Sequence, residues 1–216
     1  DTGTHVQFTA PGARPFVNGT EDDENVFKIA NDSALIGLDI SGGENGVYGE
    51  SVSGFTLRDL EVSGADEAGV LLEEMHSGSI LNSTFRNNDA EGFYVEEFNG
   101  GLISGNTAIS NGDYGFYVDK FTGGLFSGNT AIENEDDGFV VDEFEGGTIS
   151  FNVATGNGGE GFYVKDFDGG TISGNTATEN EDEGFQVNDF TSGTISGNTA
   201  SANGDYGFYV DKFTGG

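Results

Sequence analysis

Apolar positions in this chain follow no helical spacing. They fall in short alternating patches separated by Gly and Asn. In Gly115-Phe116-Tyr117-Val118, Phe and Val face one way and Tyr the other, the period-two pattern of a half-buried strand. A second patch covers Leu102-Ile103-Ser104 and a third Thr107-Ala108-Ile109. Gly and Asn fill the corners between them, where the backbone needs positive φ.

The three patches recur as a unit of 23 residues. From Gly100 the chain reads GGLISGNTAISNGDYGFYVDKFT, then GGLFSGNTAIENEDDGFVVDEFE, then GGTISFNVATGNGGEGFYVKDFD, then GGTISGNTATENEDEGFQVNDFT, with a further copy from Ser192. Self-similarity at a fixed period of this size predicts a solenoid, in which each repeat buries its apolar face against its neighbours. Three short strands and three corners per unit predict one coil of a parallel β-helix, an all-β fold with coils ~4.8 Å apart.

In that geometry each column of the repeat becomes a stack. Inward columns are expected at Phe93, Phe116, Phe139, Phe162, Phe185 and Phe208, at Val95 through Val210, at Phe98 through Phe213, and at Ile80, Ile103, Phe126, Ile149, Ile172 and Ile195. Asn106, Asn129, Asn152, Asn175 and Asn198 form one expected amide ladder at a corner, and Asn111, Asn134, Asn157, Asn180 and Asn203 a second.

Traced backwards, the register is regular from about residue 77 and thins through the units starting at Gly54 and Asn31. Residues 1–30, with both prolines (Pro11 and Pro15), are expected to form an N-terminal cap or lead-in coil, and 31–216 the β-helix. The last coil ends at Gly216 without an amphipathic cap, which predicts an open edge and self-association through the coil ends, or continuation of the array. An opening at Asp1, with neither Met nor a signal segment, fits a trimmed secreted chain.

The pattern GGTISGNTA…N…GFxV, with its IxxN step and later Gly-Phe strand, resembles the right-handed parallel β-helix repeat of the pectin-lyase-like superfamily over about residues 31–214. That resemblance implies the handedness. It also implies a range of roles: pectate lyases, polygalacturonases, alginate epimerases, phage tailspikes, and bacterial or archaeal surface adhesins and stalks. A fold of this kind does not by itself assign an activity.

Composition narrows the partners. With 38 Asp+Glu against 7 Lys+Arg, the formal net charge is −31, so nucleic acid and anionic membranes are excluded as partners. No apolar run approaches spanning length, which excludes membrane insertion. Cations, cationic surfaces and neutral ligands such as glycans remain. Cys is absent, so there is neither a disulfide nor a thiolate metal site.

The carboxylates crowd two places per coil. One is the corner before the Gly-Phe strand, with Asp113, the triplet Glu135-Asp136-Asp137 and the triplet Glu181-Asp182-Glu183; the other follows that strand. Ca²⁺ is the candidate cation for the corner set, since hard cations take six to eight oxygen ligands. No EF-hand or GGxGxD nonapeptide is present, and the same density also reads as a solvated acidic surface suited to salty surroundings. In the second place Lys120 falls between Glu97 and Glu143, and Lys165 between Asp142 and Asn188, which predicts a salt-bridge ladder along the strand face.

Outward on the Gly-Phe strand stand Tyr94, Tyr117, Tyr163 and Tyr209, interrupted by Val140 and Gln186, with Tyr114 and Tyr206 at the preceding corner. Such a row could stack on sugar rings or on a partner surface, or simply fill a half-exposed strand.

Catalysis requires a site made once, and the regular repeat offers none. The alginate epimerases carry YGFDPH, and this chain has DYGFYVD at 113–119 and 205–211, without the Asp-Pro-His that would bear acid and base. His5, His76 (beside Met75, Glu73 and Glu74), Arg58 and Arg86 show no acid–base pair by spacing. The sequence therefore predicts no enzyme and no certain cofactor. Its first reading is an extracellular, structural or adhesive segment of a cell-surface or filament-forming protein. Its second is a polysaccharide-binding or polysaccharide-modifying β-helix, and a cleft around Arg58, His76 and Arg86 would favour an enzyme.

Overall fold

A computed structural model describes residues 14–19 and 24–214, together with the backbone of the strand His5–Gln7. Pro11 and Gly215-Gly216 lie outside the described residues. Every described strand pairs in parallel, and no helix among the described residues is long and apolar enough to cross a membrane. The molecule is an all-β solenoid with three strands per coil.

One coil shows how the repeat closes. Strand Phe93–Ser104 covers the Gly-Phe face and then turns onto the Leu-Ile-Ser face, and Thr107–Ile109 forms the third. The turn lies at Gly100 and Gly101, whose φ values of 66° and 117° suit a residue without Cβ. Because strands Met75–Leu81 and Phe93–Ser104 cross this corner, the first two faces join into one 17-stranded sheet, while the third remains a separate nine-stranded sheet. Partners stand 23 residues apart, as in Phe93↔Phe116, Ile103↔Phe126 and Thr107↔Thr130. Near the N-terminus the spacing varies: His5↔Ala34, Phe16↔Asp39 and Phe27↔Val47 are 29, 23 and 20 apart, so the corners there differ in length.

The core is the stack of columns expected from the repeat. Phe139, Phe162, Phe185 and Phe208 stack at centroid distances of 4.7, 4.7 and 4.8 Å, with planes within 6°. Phe144, Phe167, Phe190 and Phe213 stack at 4.9, 4.9 and 4.7 Å. These are strand spacings, so the backbone lattice itself sets the ring offset.

Opposite the Phe column runs a column of small residues that the alternation alone did not single out as core. Ala108, Ala131, Ala154 and Ala177 are fully buried. One coil earlier the same position is Phe85, and there the order breaks. Phe93 and Phe116 are tilted by 52° at 5.9 Å, because Phe85 lies 5.7 Å from the first and edge-on to the second. Two coils earlier, Val62 and Val70 divide the same volume more evenly. A large residue is matched across the core by a small one, or two of middle size face each other, and the coil with both Phe85 and Phe93 is the one where ring stacking is disturbed.

Both Asn ladders are present and internally satisfied. Asn129 Oδ1 accepts from the backbone N–H and from Nδ2 of Asn106, while Asn129 Nδ2 donates to Asn152 Oδ1 and to the carbonyl of Ile103. The second ladder repeats this arrangement, and Asn88 adds a rung at its start. Two acceptor lone pairs and two N–H donors are thus all used in a buried corner.

Two substitutions test this account. Asn152→Leu leaves the Asn129 amide, the Phe126 carbonyl and Asn175 Oδ1 short of partners. At about 1–3 kcal/mol per orphaned group, it should cost at least ~3 kcal/mol in urea unfolding. A variant as stable as the parent would show the ladder to be dispensable. Conversely, Phe151 sits exposed at φ 54° in a column otherwise held by Gly105, Gly128, Gly174 and Gly197. Phe151→Gly should raise stability by about 1 kcal/mol.

Candidate functional site

The outward face of the Gly-Phe strand carries one continuous row. Register pairs Leu71↔Tyr94, Tyr94↔Tyr117, Tyr117↔Val140, Val140↔Tyr163 and Tyr163↔Gln186, with Tyr209 next on the last coil. Tyr94 and Tyr117 meet at 5.0 Å, and Tyr114 joins from the preceding corner at 5.3 Å. Where Val140 replaces a tyrosine, the row drops. The missing ring leaves an open hollow of about 290 Å³, lined by Tyr114, Tyr117, Asp137, Asp142, Glu160 and Tyr163. A second hollow of about 250 Å³, lined by Glu67, Leu71, Glu91 and Tyr94, lies along the same face, and the two meet at the Tyr94–Tyr117 contact. Together they make a shallow trough along the solenoid axis.

Its floor is aromatic and its walls are acidic. The corner wall is a backbone-paired column of Glu91, Tyr114, Asp137 and Glu160, since Gly92, Gly115 and Gly138 each donate to the next residue of that column. Asp137 is the buried member at 7% exposure, and its Oδ1 accepts from the Glu160 backbone N–H at 2.6 Å. Gly159 permits this fold-over, because a Cβ there would collide with the carboxylates of Asp136 and Asp137. Burial, then a hydrogen bond shared with the Glu160 carboxyl and the charge of that group, outweigh the backbone N–H and push the Asp137 carboxyl up to about 9, so it holds a proton at neutral pH. Burial likewise raises Glu91 and Asp113.

The tyrosines remain donors. The Tyr117 hydroxyl bonds Asp142 Oδ2 at 2.9 Å, and burial followed by that bond raises its pKa. Burial and the charges of Asp136 and Asp113 push Tyr114 up to about 12. The trough therefore presents hydroxyl donors beside carboxylate acceptors over aromatic faces, the set that grips a ring bearing several hydroxyls.

Of the residues singled out from sequence, Tyr94, Tyr117, Tyr163 and Asp137 come together here, and Tyr209 extends the row at 40% exposure. The two acidic triplets lie two coils apart. Glu135 is exposed while Asp137 is buried, and Glu181 and Asp182 are exposed while Glu183 is half-buried. Among the described residues no three acidic or histidine side chains are placed to hold a metal ion. Tyr114 joins the row from the corner where the sequence put it, while the convergence of Asp142 and Glu160 on the row was not anticipated. Its signal is in the chain all the same, since each corner residue precedes its row partner by three positions, as in Tyr114 and Tyr117 or Glu160 and Tyr163.

None of the hollows described for this chain is lined by Arg58, His76 or Arg86, the residues that a cleft favouring an enzyme would have gathered. These residues stand on three different strands. Arg86 is held by Glu61, Arg58 lies 3.3 Å from Asp59, and His76 faces the Asn99 amide at 3.3 Å. The salt-bridge ladder is partial. Lys120 pairs with Glu143 at 3.6 Å and Lys212 with Asp189 at 3.0 Å, while Lys165 makes no ion pair among the described residues.

A family model described as right handed beta helix region matches residues 25–169 and again 145–214. Among solved structures, a variant of the periplasmic alginate epimerase AlgG superposes with a TM-score of 0.73 at 14% identity, over 86% of this chain and 51% of that one. A tailspike protein mutant of E. coli bacteriophage HK620, in complex with a pentasaccharide, gives 0.58 at 10% identity, over 88% and 43%. The pectate lyase Pel9A gives 0.51 at 15%, over 93% and 68%. At these identities the likeness is one of fold, and this chain spans about half the length of the epimerase. No curated protein sequence matches the chain.

The raised carboxyls give stability an unusual pH dependence. A carboxyl whose folded pKa lies above its unfolded value near 4 contributes stability that is complete below about pH 4 and is lost as pH rises through the folded value. For Asp137 that loss runs up to about pH 9. The melting temperature should fall between pH 5 and pH 9. Asp137→Asn, which keeps an oxygen for the Glu160 N–H, should flatten the fall and be the more stable protein at pH 9. Identical slopes in parent and variant would contradict the assignment.

Proposed function

The chain belongs to the right-handed β-helix family, and from that premise we propose that it binds an extended polysaccharide in the trough of the Gly-Phe face. The observation that carries this reading is the tyrosine row itself. Tyr94 and Tyr117 lie 5.0 Å apart, and the hollow between Tyr117 and Tyr163 is flanked by Asp137, Asp142 and Glu160. Aromatic faces take the C–H side of a pyranose, and carboxylates take pairs of its hydroxyls.

This reading has more behind it than a structural or adhesive stalk. The structures that share the fold are named for, or solved with, a carbohydrate polymer: an alginate epimerase, a pectate lyase and a tailspike holding a pentasaccharide. Self-association through the coil ends draws no support from them. A periplasmic protein among them favours a location outside the cytoplasm. Modification of the bound glycan is a further step. In this chain the epimerase-like segment at 113–119 carries Tyr117-Val118-Asp119 in place of Asp-Pro-His, so binding is the activity proposed.

Glycan-array binding by the full chain tests it. Tyr117→Ala and Tyr163→Ala should each weaken binding at least tenfold, about 1.4 kcal/mol, while Arg58→Ala, away from the trough, leaves it unchanged. Binding that survives both tyrosine substitutions would exclude this face.

A further inference from the structure

We propose that the polysaccharide taken by the trough is one that carries protonated amines, a deacetylated hexosamine polymer laid one sugar per coil. The inference rests on the polysaccharide reading above and adds the charge of the ligand. The fold is shared with proteins named for alginate and pectate, both polyanions. The trough here is built against such ligands.

Three observations argue for a cationic chain. Carboxylates line both hollows, with Glu67 and Glu91 in one and Asp137, Asp142 and Glu160 in the other, on either side of the coil that brings Tyr114 and Tyr117. Neither hollow is lined by Lys or Arg. The ion pairs of the described residues use other carboxylates: Lys120 goes to Glu143, Lys212 to Asp189, Lys28 to Glu50 and Arg86 to Glu61. Lys165 follows Asp142 in its column without pairing to it. The carboxylates of the wall are thus in no ion pair among the described residues, whereas elsewhere the chain's few cations pair with some of the acidic stacks.

A polyuronate would add one carboxylate per sugar to this wall and be repelled on each coil. A neutral glycan would strip water from the carboxylates and return no charge. An amine-bearing chain answers both costs. Coils repeat at the strand spacing of ~4.8 Å, close to the advance of one pyranose in an extended chain, so ammonium groups along the ligand meet Glu67, Glu91, Asp142 and Glu160 while the sugar between them lies over Tyr114 and Tyr117. The tyrosine faces attract the same cations.

The protonated Asp137 gives the binding a signature. An ammonium arriving beside Asp137 favours its ionised form, so binding should release a proton.

Isothermal titration of the full chain at pH 6 and low salt tests the proposal, using hexamers of glucosamine, N-acetylglucosamine and galacturonate, with hexalysine as a charge control. Heats are measured in two buffers of different ionisation enthalpy. The glucosamine hexamer should bind at least tenfold more tightly than its acetylated form, release protons to the buffer and weaken with salt. Galacturonate should not bind. Tyr117→Ala should weaken glucosamine binding at least tenfold, and Glu160→Gln should narrow its margin over the acetylated hexamer. If the acetylated hexamer binds as well as glucosamine and depends on Tyr117, the charge inference is overturned while the polysaccharide reading stands. If no sugar binds, both fall. If hexalysine matches glucosamine, or Tyr117→Ala changes nothing, the attraction is that of any polycation for an acidic surface, and the proposal is wrong.

Discussion

Backbone N–H groups in one coil donate to carbonyls of the neighbouring coils, as Phe93 does to Gly115 and Thr107 to Ser83, and each side chain is thereby placed over the residue 23 positions away, one strand spacing further along. That lattice decides what each column can tolerate. Flat rings profit from it, which is why Phe162 and Phe185 lie 4.7 Å apart with planes within 3°. Amides profit too, since each Asn in a ladder donates forward and accepts from behind. The cross-section is constrained in the same way, and a large Phe column is matched by an Ala column across the core.

Like charges suffer from the same lattice, and the acidic columns show how the chain accommodates them. Gly159 interrupts the column that runs through Asp113, Asp136, Asp182 and Asp205. Lys120 stands between Glu97 and Glu143. Tyr114 replaces a carboxylate between Glu91 and Asp137, and Asp137 keeps a proton beside Glu160. Each device lowers repulsion, yet the wall of the trough retains acids that no protein cation meets. The binding surface proposed for a positively charged chain would draw on the same repulsion that makes the stacked acids costly.

Much of this was legible from the repeat because a period of 23 maps one-to-one onto stacked positions. The Phe and Val columns, both Asn ladders and the tyrosine row are where the spacing puts them. The Ala column was less visible, because Ala108 and its successors are small enough to pass as strand filler until Phe93 and Phe116 are seen across from them. The site was harder. Tyr94, Tyr117 and Tyr163 could be read as a row, but the hollow comes from the absence of a ring at Val140 and from a corner that folds Asp137 inward over Gly159. Corner geometry of that kind depends on backbone dihedrals, which residue spacing does not report. Arg58, His76 and Arg86 illustrate the opposite limit: they share no column of the repeat and stand at different positions on separate strands.

The most direct test of the account is where a glycan sits. In an NMR titration of the labelled chain with a glucosamine hexamer, ring signals of Tyr94, Tyr114, Tyr117 and Tyr163 should shift together, while those of Phe151, on a corner away from the trough, stay in place. A separate acidic hollow of about 430 Å³ is lined by Glu143, Asp166 and Asp189; shifts centred there, with the tyrosines unmoved, would contradict the account.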